Sequence, residues 1–172
     1  MKFIIIGGVG ESKGHDILLE AIKNLPRDCR DKLIVWCIGD SSSKAAEKIK
    51  AKVFEEQLPI KFKGTMPNTD VMELLNKVDV LICASKGETM SMAVTEAMMK
   101  GIPAILSDKI GIADFIEDKV NGYLFRQDDS RSLSQCIKYC LENRYKSVEV
   151  GRATRKIYEK YFSMEVFYKK YL

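Results

Sequence analysis

The chain has 172 residues, enough for one domain with a full hydrophobic core and too few for two sizeable domains. Apolar residues make up 46% and charged residues 30%, as in ordinary globular proteins, and the net charge is a mild +4. The apolar runs fall far short of the ~20 residues of a membrane span, and the lack of a basic run argues against nucleic-acid binding. Five cysteines without metal-ligand spacing, and no secretory signal, lead us to expect a cytoplasmic protein with reduced thiols.

Apolar runs alternate with amphipathic stretches through the first half of the chain. They predict strands over 2–6, 32–38 and 60–63, and helices from about 15, after a lead-in over 11–14, to 25, from about 44 to 57 and after Pro67. A glycine follows each strand, at Gly7, Gly39 and Gly64, and marks a turn there. Strands that alternate with helices in this way predict a parallel sheet.

The second half continues the alternation and then becomes helical. It predicts strands over 80–84, 102–106 and 123–125, a helix over 92–99 capped by Ser91, a helical turn over 111–116, and helix from about 129 with breaks near Gly151 and Ser163. We therefore expect a single α/β domain over 1–172. Its core is a doubly wound, Rossmann-like parallel sheet of about six strands, with helices on both faces and further helices at the C-terminus.

The helix over 92–99 is almost entirely apolar, so we expect it to be buried all round, yet Glu96 lies in its middle. A buried carboxylate without a partner would cost several kcal/mol. Because helical side chains lean toward the helix N-terminus, we expect Glu96 to point toward the loop that holds Glu88 and toward free backbone N–H groups. Such a pocket could hold a phosphate and a polyol. The alternative is a glutamate that only satisfies the helix dipole, with Glu88 on the surface; the residues alone leave both open.

The turn after the first strand has glycines at Gly8 and Gly10, which partly match a dinucleotide-binding fingerprint. Lysine stands at Lys13 where the third glycine should be, and the spacing does not fit a P-loop either. We therefore discount a nicotinamide- or flavin-dependent oxidoreductase. His15, the single histidine, has no partner at the spacing of a catalytic triad or a metal site.

Glu88 and Glu96 are separated by seven residues, and Ala-Met-Met-Lys-Gly-Ile-Pro follows over 97–103. Together they resemble the E-x7-E signature of retaining GT-B glycosyltransferases of the family-4 type (glycosyl transferases group 1). The resemblance spans almost the whole chain and matches the C-terminal, donor-binding half of such enzymes. It implies transfer of a sugar from a nucleotide-diphosphate sugar, such as a UDP-sugar, to an acceptor with retention of anomeric configuration. It also implies that no metal or other cofactor takes part.

The resemblance further implies a role for individual residues. Glu96 would accept hydrogen bonds from the donor ribose, and Glu88, the catalytic residue, would contact the transferred sugar near the reacting centre. Lys13 would hold the donor phosphates, whereas Gly8 stands where the family has an arginine; Lys86 is our candidate for a compensating cation. The alternative is that Lys13 and Lys86 are solvated surface lysines. The remaining donor-binding residues lie in two loops, Gly64, Thr65 and Met66 beside the base and Thr89, Met90, Ser91, Met92 and Ala93 around the pyrophosphate.

Enzymes of this type carry the acceptor site on an N-terminal GT-B domain, which we expect to lie outside this chain. Alone, this domain should bind nucleotide and transfer little or no sugar. The segment over 158–168 resembles the closing helices that pack toward that domain, and the full enzyme is expected at the inner face of a membrane as a peripheral protein. The alternative, from a different class, is a non-catalytic nucleotide- or protein-binding Rossmann-like module with an apolar docking surface at its C-terminal end.

Overall fold

The computed structural model describes residues 1–171, with side chains throughout except at 167 and 169–171. Six strands form, and they are β1 Lys2–Ile6, β2 Ile34–Ile38, β3 Ile60–Gly64, β4 Val80–Cys83, β5 Ala104–Ser107 and β6 Tyr123–Phe125. The α-helices are α1 His15–Lys23, α2 Arg27–Arg30, α3 Lys44–Glu55, α4 Asn68–Leu75, α5 Met92–Met99, α6 Ser130–Glu142, α7 Arg144–Tyr161 and α8 Met164–Tyr171. Short 3-10 turns lie at Glu11–Lys13 and Gly111–Phe115.

The six strands form one parallel sheet in the order β3-β2-β1-β4-β5-β6. The first three strands therefore run outward in one direction and the last three in the other. The order reverses between β1 and β4, where Phe3 pairs with Val80 and Ile4 with Leu81. In doubly wound sheets the crevice beyond the carboxyl ends at this reversal is the ligand site. The predicted fold class is confirmed.

Alternate residues of β1 enter two separate hydrophobic cores because side chains along a strand point to opposite faces. Phe3 and Ile5 pack with α1, α3 and α6, whereas Ile4 packs on the other face with α4, α5 and α7. All three side chains are buried. Helices thus cover both faces of the sheet, which is why the strands read as continuous apolar runs.

The first helix begins at His15, as predicted, after Gly14, which adopts a left-handed conformation with φ +72° between the 3-10 turn and α1. Helix α1 ends at Lys23, two residues before the predicted end, and Pro26 precedes the short helix α2. Helix α5 is not buried all round, in contrast to our expectation. Its Val94, Ala97 and Met98 face the core, while Met92 is 71% exposed.

Helix α7 continues through Gly151, so the predicted break there is wrong; the chain instead breaks at Asn143, between α6 and α7. Gly151 allows α7 to pack closely against the turn after α5. A Cβ at Gly151 would lie 2.2 Å from the carbonyl oxygen of Gly101, in the turn after α5. The predicted break near Ser163 is confirmed, since α8 begins at Met164. The side chain of Phe167, within the predicted closing segment, lies outside the described residues.

Over residues 1–171, no helix combines the length and the apolar character needed to cross a membrane.

We expect Gly151→Ala to destabilise the domain by about 1–3 kcal/mol, because the added methyl overpacks the contact with Gly101. Helix propensity alone predicts that Gly151→Ala stabilises the domain, since alanine is favoured over glycine by about 1 kcal/mol inside a helix. Urea unfolding measures the difference. Gly87→Ala is the control, because a Cβ at Gly87 meets none of the described atoms within 4 Å. A stabilised Gly151→Ala variant would contradict the packing role.

Candidate functional site

The β1–α1 turn lies directly on the carboxyl end of β4, and Gly14 permits this approach. A Cβ at Gly14 would stand 2.1 Å from the carbonyl oxygen of Ala84, and its φ of +72° also favours glycine. The backbone N–H of Lys86 donates to the carbonyl oxygen of Ser12 at 3.1 Å and joins the same turn to the loop after β4. The turn and the loop therefore meet at the point where the strand order reverses.

Lys13 and Glu88, two predicted site residues from these segments, form an ion pair across the crevice. Lys13 Nζ lies 3.3 Å from Glu88 Oε2, and the two side chains are 33% and 19% exposed. The lysine methylenes pass over Gly7, where a Cβ would lie 3.1 Å from Lys13 Cε. Cys83 Sγ lies 3.8 Å from the same Glu88 oxygen. Burial, and then the nearby Glu88 charge, raise the pKa of the Cys83 thiol, which stays neutral.

The loop that carries Glu88 is also held from its other side by the turn after β5. Gly111 donates its backbone N–H to the carbonyl oxygen of Glu88 at 3.1 Å. A Cβ at Gly111 would stand 2.3 Å from the carbonyl oxygen of Thr89, so this position is restricted to glycine. Sequence reasoning missed Gly111, and its contact with Glu88 becomes visible only once β4 and β5 are paired.

Lys86 does not supply the free cation that we expected. Its Nζ donates to Asp16 Oδ2 at 3.0 Å and lies 3.9 Å from Asp128 Oδ1. The hydrogen bond to Asp16 raises the pKa of the Lys86 ammonium, which remains charged. Gln127 Nε2 also donates to the carbonyl oxygen of Lys86 at 3.0 Å. Lys86 therefore ties the loop to α1 and to the segment before α6.

The first turn of α5 follows the loop and presents backbone donors to the crevice. Ser91 occupies the N-cap position and is 3% exposed, but among the described residues no side chain caps this helix end. The Ser91 hydroxyl instead lies 3.8 Å from Cys83 Sγ. The N–H groups of Met92 and Ala93 have no acceptor one turn earlier in the helix. Met90 is 49% exposed on the outer side.

Glu96 is half-buried and has a partner that sequence reasoning missed. Asn68 Nδ2 donates to Glu96 Oε1 at 2.9 Å. Asn68 is the first residue of α4 and follows the loop that contains Gly64, Thr65 and Met66. The hydrogen bond therefore fastens the loop after β3 to the middle of α5. The sequence held a signal for Asn68, since it is a polar residue just after a strand that ends at the same edge.

Gly8 is exposed directly after β1, and it has room for a side chain. The described atom closest to an added Cβ there is the carbonyl oxygen of Asp40, at 3.9 Å, which is ordinary van der Waals contact. The absence of an arginine at this position is therefore not imposed by packing. Across the part of the chain that the structure describes, no three His, Cys, Asp or Glu side chains gather as metal ligands.

His15 begins α1 and stabilises the β1–α1 turn from inside. Its ring is 1% exposed, with Nδ1 3.1 Å from the carbonyl oxygen of Gly10 and 3.4 Å from its N–H nitrogen. Nε2 is buried and has no hydrogen-bond partner among the described atoms. Burial lowers the pKa of the His15 imidazole, against the raising effects of the Gly10 hydrogen bond and of Asp16. The ring is a structural part of the turn.

The strand order and the crevice at its reversal define a Rossmann-like α/β domain of the GT-B type. A family model described as glycosyl transferases group 1 matches residues 1–157, and the chain belongs to this family. The expected membership of the glycosyl transferases group 1 family is confirmed.

Individual relatives match nearly the whole chain. Sulfoquinovosyl transferase SQD2 of Arabidopsis thaliana is 29% identical over 161 residues, which are 92% of this chain and 30% of SQD2. HepE of Anabaena in complex with UDP superimposes with a TM-score of 0.85 at 21% identity, covering 98% of this chain and 47% of HepE. The C-terminal domain of LpcC, a glycosyl transferase group 1 family protein from Francisella tularensis, gives 0.85 at 18% identity, covering 95% and 86%. At these identities the two structures show a shared fold.

The chain spans less than half the length of the curated relatives that it matches along most of its own length.

We expect the domain to lose stability as the pH falls below about 6.5, the usual pKa of histidine. Because the pKa of His15 is lowered in the folded state, the unfolded chain takes up the proton first, so His15 contributes its full stability only above that pH. Urea unfolding of the wild type and of His15→Asn at pH 7.5 and 5.5 measures the effect. The chain has one histidine, so the variant should lose less stability on acidification. An equal loss of stability in the wild type and in the variant would show that His15 does not cause this pH dependence.

Proposed function

We propose that this chain is the donor-binding domain of a retaining glycosyltransferase, which transfers a sugar from a nucleotide-diphosphate sugar to an acceptor. The observation that carries the proposal is the Lys13–Glu88 ion pair, which lies across the sheet's reversal point next to the open first turn of α5. A lysine ammonium and free N–H groups at a helix N-terminus are two donors that bind phosphate in proteins.

In this proposal the diphosphate lies between Lys13 and the N–H groups of Met92 and Ala93. Positive charge then comes from the lysine and the helix dipole, and no metal is required. Without ligand, Glu88 neutralises Lys13 at 3.3 Å. A bound phosphate would replace Glu88 as the partner of Lys13, and the released carboxylate would turn toward the transferred sugar. The ammonium would then stabilise the diphosphate as the glycosidic bond breaks and negative charge builds on the leaving group.

The nucleoside would lie between α5 and the loop after β3. Glu96 would accept hydrogen bonds from the ribose hydroxyls with the oxygen that Asn68 leaves free, since Asn68 donates to Oε1. Asn68 thereby positions Glu96. The base would contact Gly64, Thr65 and Met66, and in this loop Thr65 is exposed. HepE, a structural neighbour, is solved with UDP, which makes UDP the first nucleotide to try.

The acceptor site and the rest of the enzyme belong to a domain outside this chain in our proposal. The small share of SQD2 that the chain covers supports this division, as does the near-complete coverage of the LpcC C-terminal domain. We further propose a cytoplasmic enzyme that associates with the inner face of a membrane.

We expect the wild type to bind one of UDP, GDP and ADP in a calorimetric titration and not to bind NAD. Glu96→Ala should weaken that binding at least tenfold, or about 1.4 kcal/mol, because the ribose hydroxyls lose their acceptor. Glu73→Ala on α4 is the matched control, since Glu73 is an exposed glutamate without an ion pair among the described residues. Binding of NAD alone, or equal binding by Glu96→Ala, would contradict the proposal.

Gly8→Arg should strengthen nucleoside diphosphate binding, because it adds a charge-assisted contact where packing leaves room. Such contacts contribute about 1.5–3 kcal/mol, so the dissociation constant should fall roughly ten- to a hundredfold. Gly10→Arg adds the same charge two residues later in the same turn, also at a position open to a side chain, and controls for long-range attraction. An equal gain in both variants would show that position 8 has no specific contact with the phosphates.

A further inference from the structure

A cavity of about 520 Å³ lies at the opposite edge of the sheet from the crevice. Residues 78–79 and 102–103, which line it, come just before β4 and β5, whereas the candidate site follows the strands' carboxyl ends. Helix α7 forms one wall. The close contact between Gly151 and Gly101 holds that wall against the turn after α5. The cavity is therefore part of the packed fold and separate from the proposed donor site.

The face of α7 that lines the cavity is basic. Arg144, Val148, Arg152 and Lys156 recur every four residues and so project from one side of the helix. Lys100, from the turn after α5, also lines the cavity. Cations thus line the cavity from two separate elements.

Two of the lining arginines are already engaged. Arg144 Nη2 lies 3.2 Å from Asp79 Oδ1, and Arg155 Nε lies 2.7 Å from Glu159 Oε1. Arg155 also donates to the carbonyl oxygen of Met99 at the end of α5. These pairs build the cavity wall and neutralise its two carboxylates.

Three lining cations remain without a counter-ion. Within residues 1–171, Lys100, Arg152 and Lys156 form no ion pair, and all three side chains are exposed. The lining also includes the apolar residues Ile102, Pro103 and Val148, of which Val148 is 54% exposed. The cavity lining therefore combines uncompensated cations with apolar side chains.

We propose that this cavity binds a phosphate-class anion between Arg152, Lys156 and Lys100. An arginine guanidinium matches phosphate oxygens with two parallel hydrogen bonds, and two ammonium groups nearby favour a dianion over a monoanion. The apolar side chains of the lining accommodate the carbon part of a phosphate ester. A free phosphate compound and the headgroup of an anionic phospholipid share this chemistry.

The test for free anions is a calorimetric titration of the full chain with pyrophosphate. Wild type should bind it at a site that nucleoside diphosphate does not compete for, and Arg152→Glu/Lys156→Glu should weaken that binding at least tenfold. Lys44→Glu/Lys48→Glu changes the net charge equally on exposed positions of α3 and should retain the affinity. Unfolding curves of both variants check that they remain folded.

The test for a lipid source is co-sedimentation with phosphatidylglycerol vesicles, compared with phosphatidylcholine vesicles. Loss of anionic vesicle binding in the Arg152/Lys156 variant, but not in the Lys44/Lys48 variant, would assign the cavity to a headgroup. Pyrophosphate binding without vesicle binding would assign it to a soluble phosphate compound. The proposal is overturned if wild type binds neither, or if both charge variants lose binding to the same extent.

Discussion

The contact between Gly14 and the carbonyl oxygen of Ala84 is the constraint on which the site depends. With 2.1 Å between that oxygen and a Cβ at position 14, any side chain would push the β1–α1 turn away from β4. The turn would then carry Lys13 away from Glu88 and break the Ser12–Lys86 backbone hydrogen bond. His15 supports the same geometry from within, through Gly10. The position of one lysine thus depends on backbone packing on both sides of it.

Helix α5 and the loop before it contact two parts of the crevice. Glu88 lies in the loop before the helix and contacts Lys13 from the β1–α1 turn. Glu96 lies about 6 Å further along the axis from the first residue of the helix, given a rise of 1.5 Å per residue, and contacts Asn68. The seven residues between the two glutamates therefore set the separation between the Lys13–Glu88 ion pair and the Glu96–Asn68 hydrogen bond. A change in this spacing would rotate Glu96 away from Asn68.

Local sequence signals were sufficient for the strands, the parallel sheet and the residues that gather at its carboxyl edge. They were insufficient where contacts join distant segments. Gly151 resembles a helix breaker until its neighbour Gly101 is known, and Asn68 has no visible role until α4 meets α5. The burial of α5 was overestimated for the same reason, because an apolar helix at the rim of a crevice keeps Met92 in solvent. Periodicity predicts which elements form, whereas close approach between elements depends on the assembled fold.

Cations at the two edges of the sheet differ in whether a carboxylate neutralises them. At the carboxyl edge, Lys13 is neutralised by Glu88 and Lys86 by Asp16, so these two cations have a counter-ion before any ligand arrives. In the proposed function, a phosphate would compete with Glu88 for Lys13, which lowers its affinity, and would release that carboxylate on binding. At the amino edge, Lys100, Arg152 and Lys156 have no carboxylate to displace among the described residues, so an anion meets uncompensated charge. For the two proposed ligands, the first arrangement suits a donor whose diphosphate must leave after reaction, and the second suits an anion that stays bound.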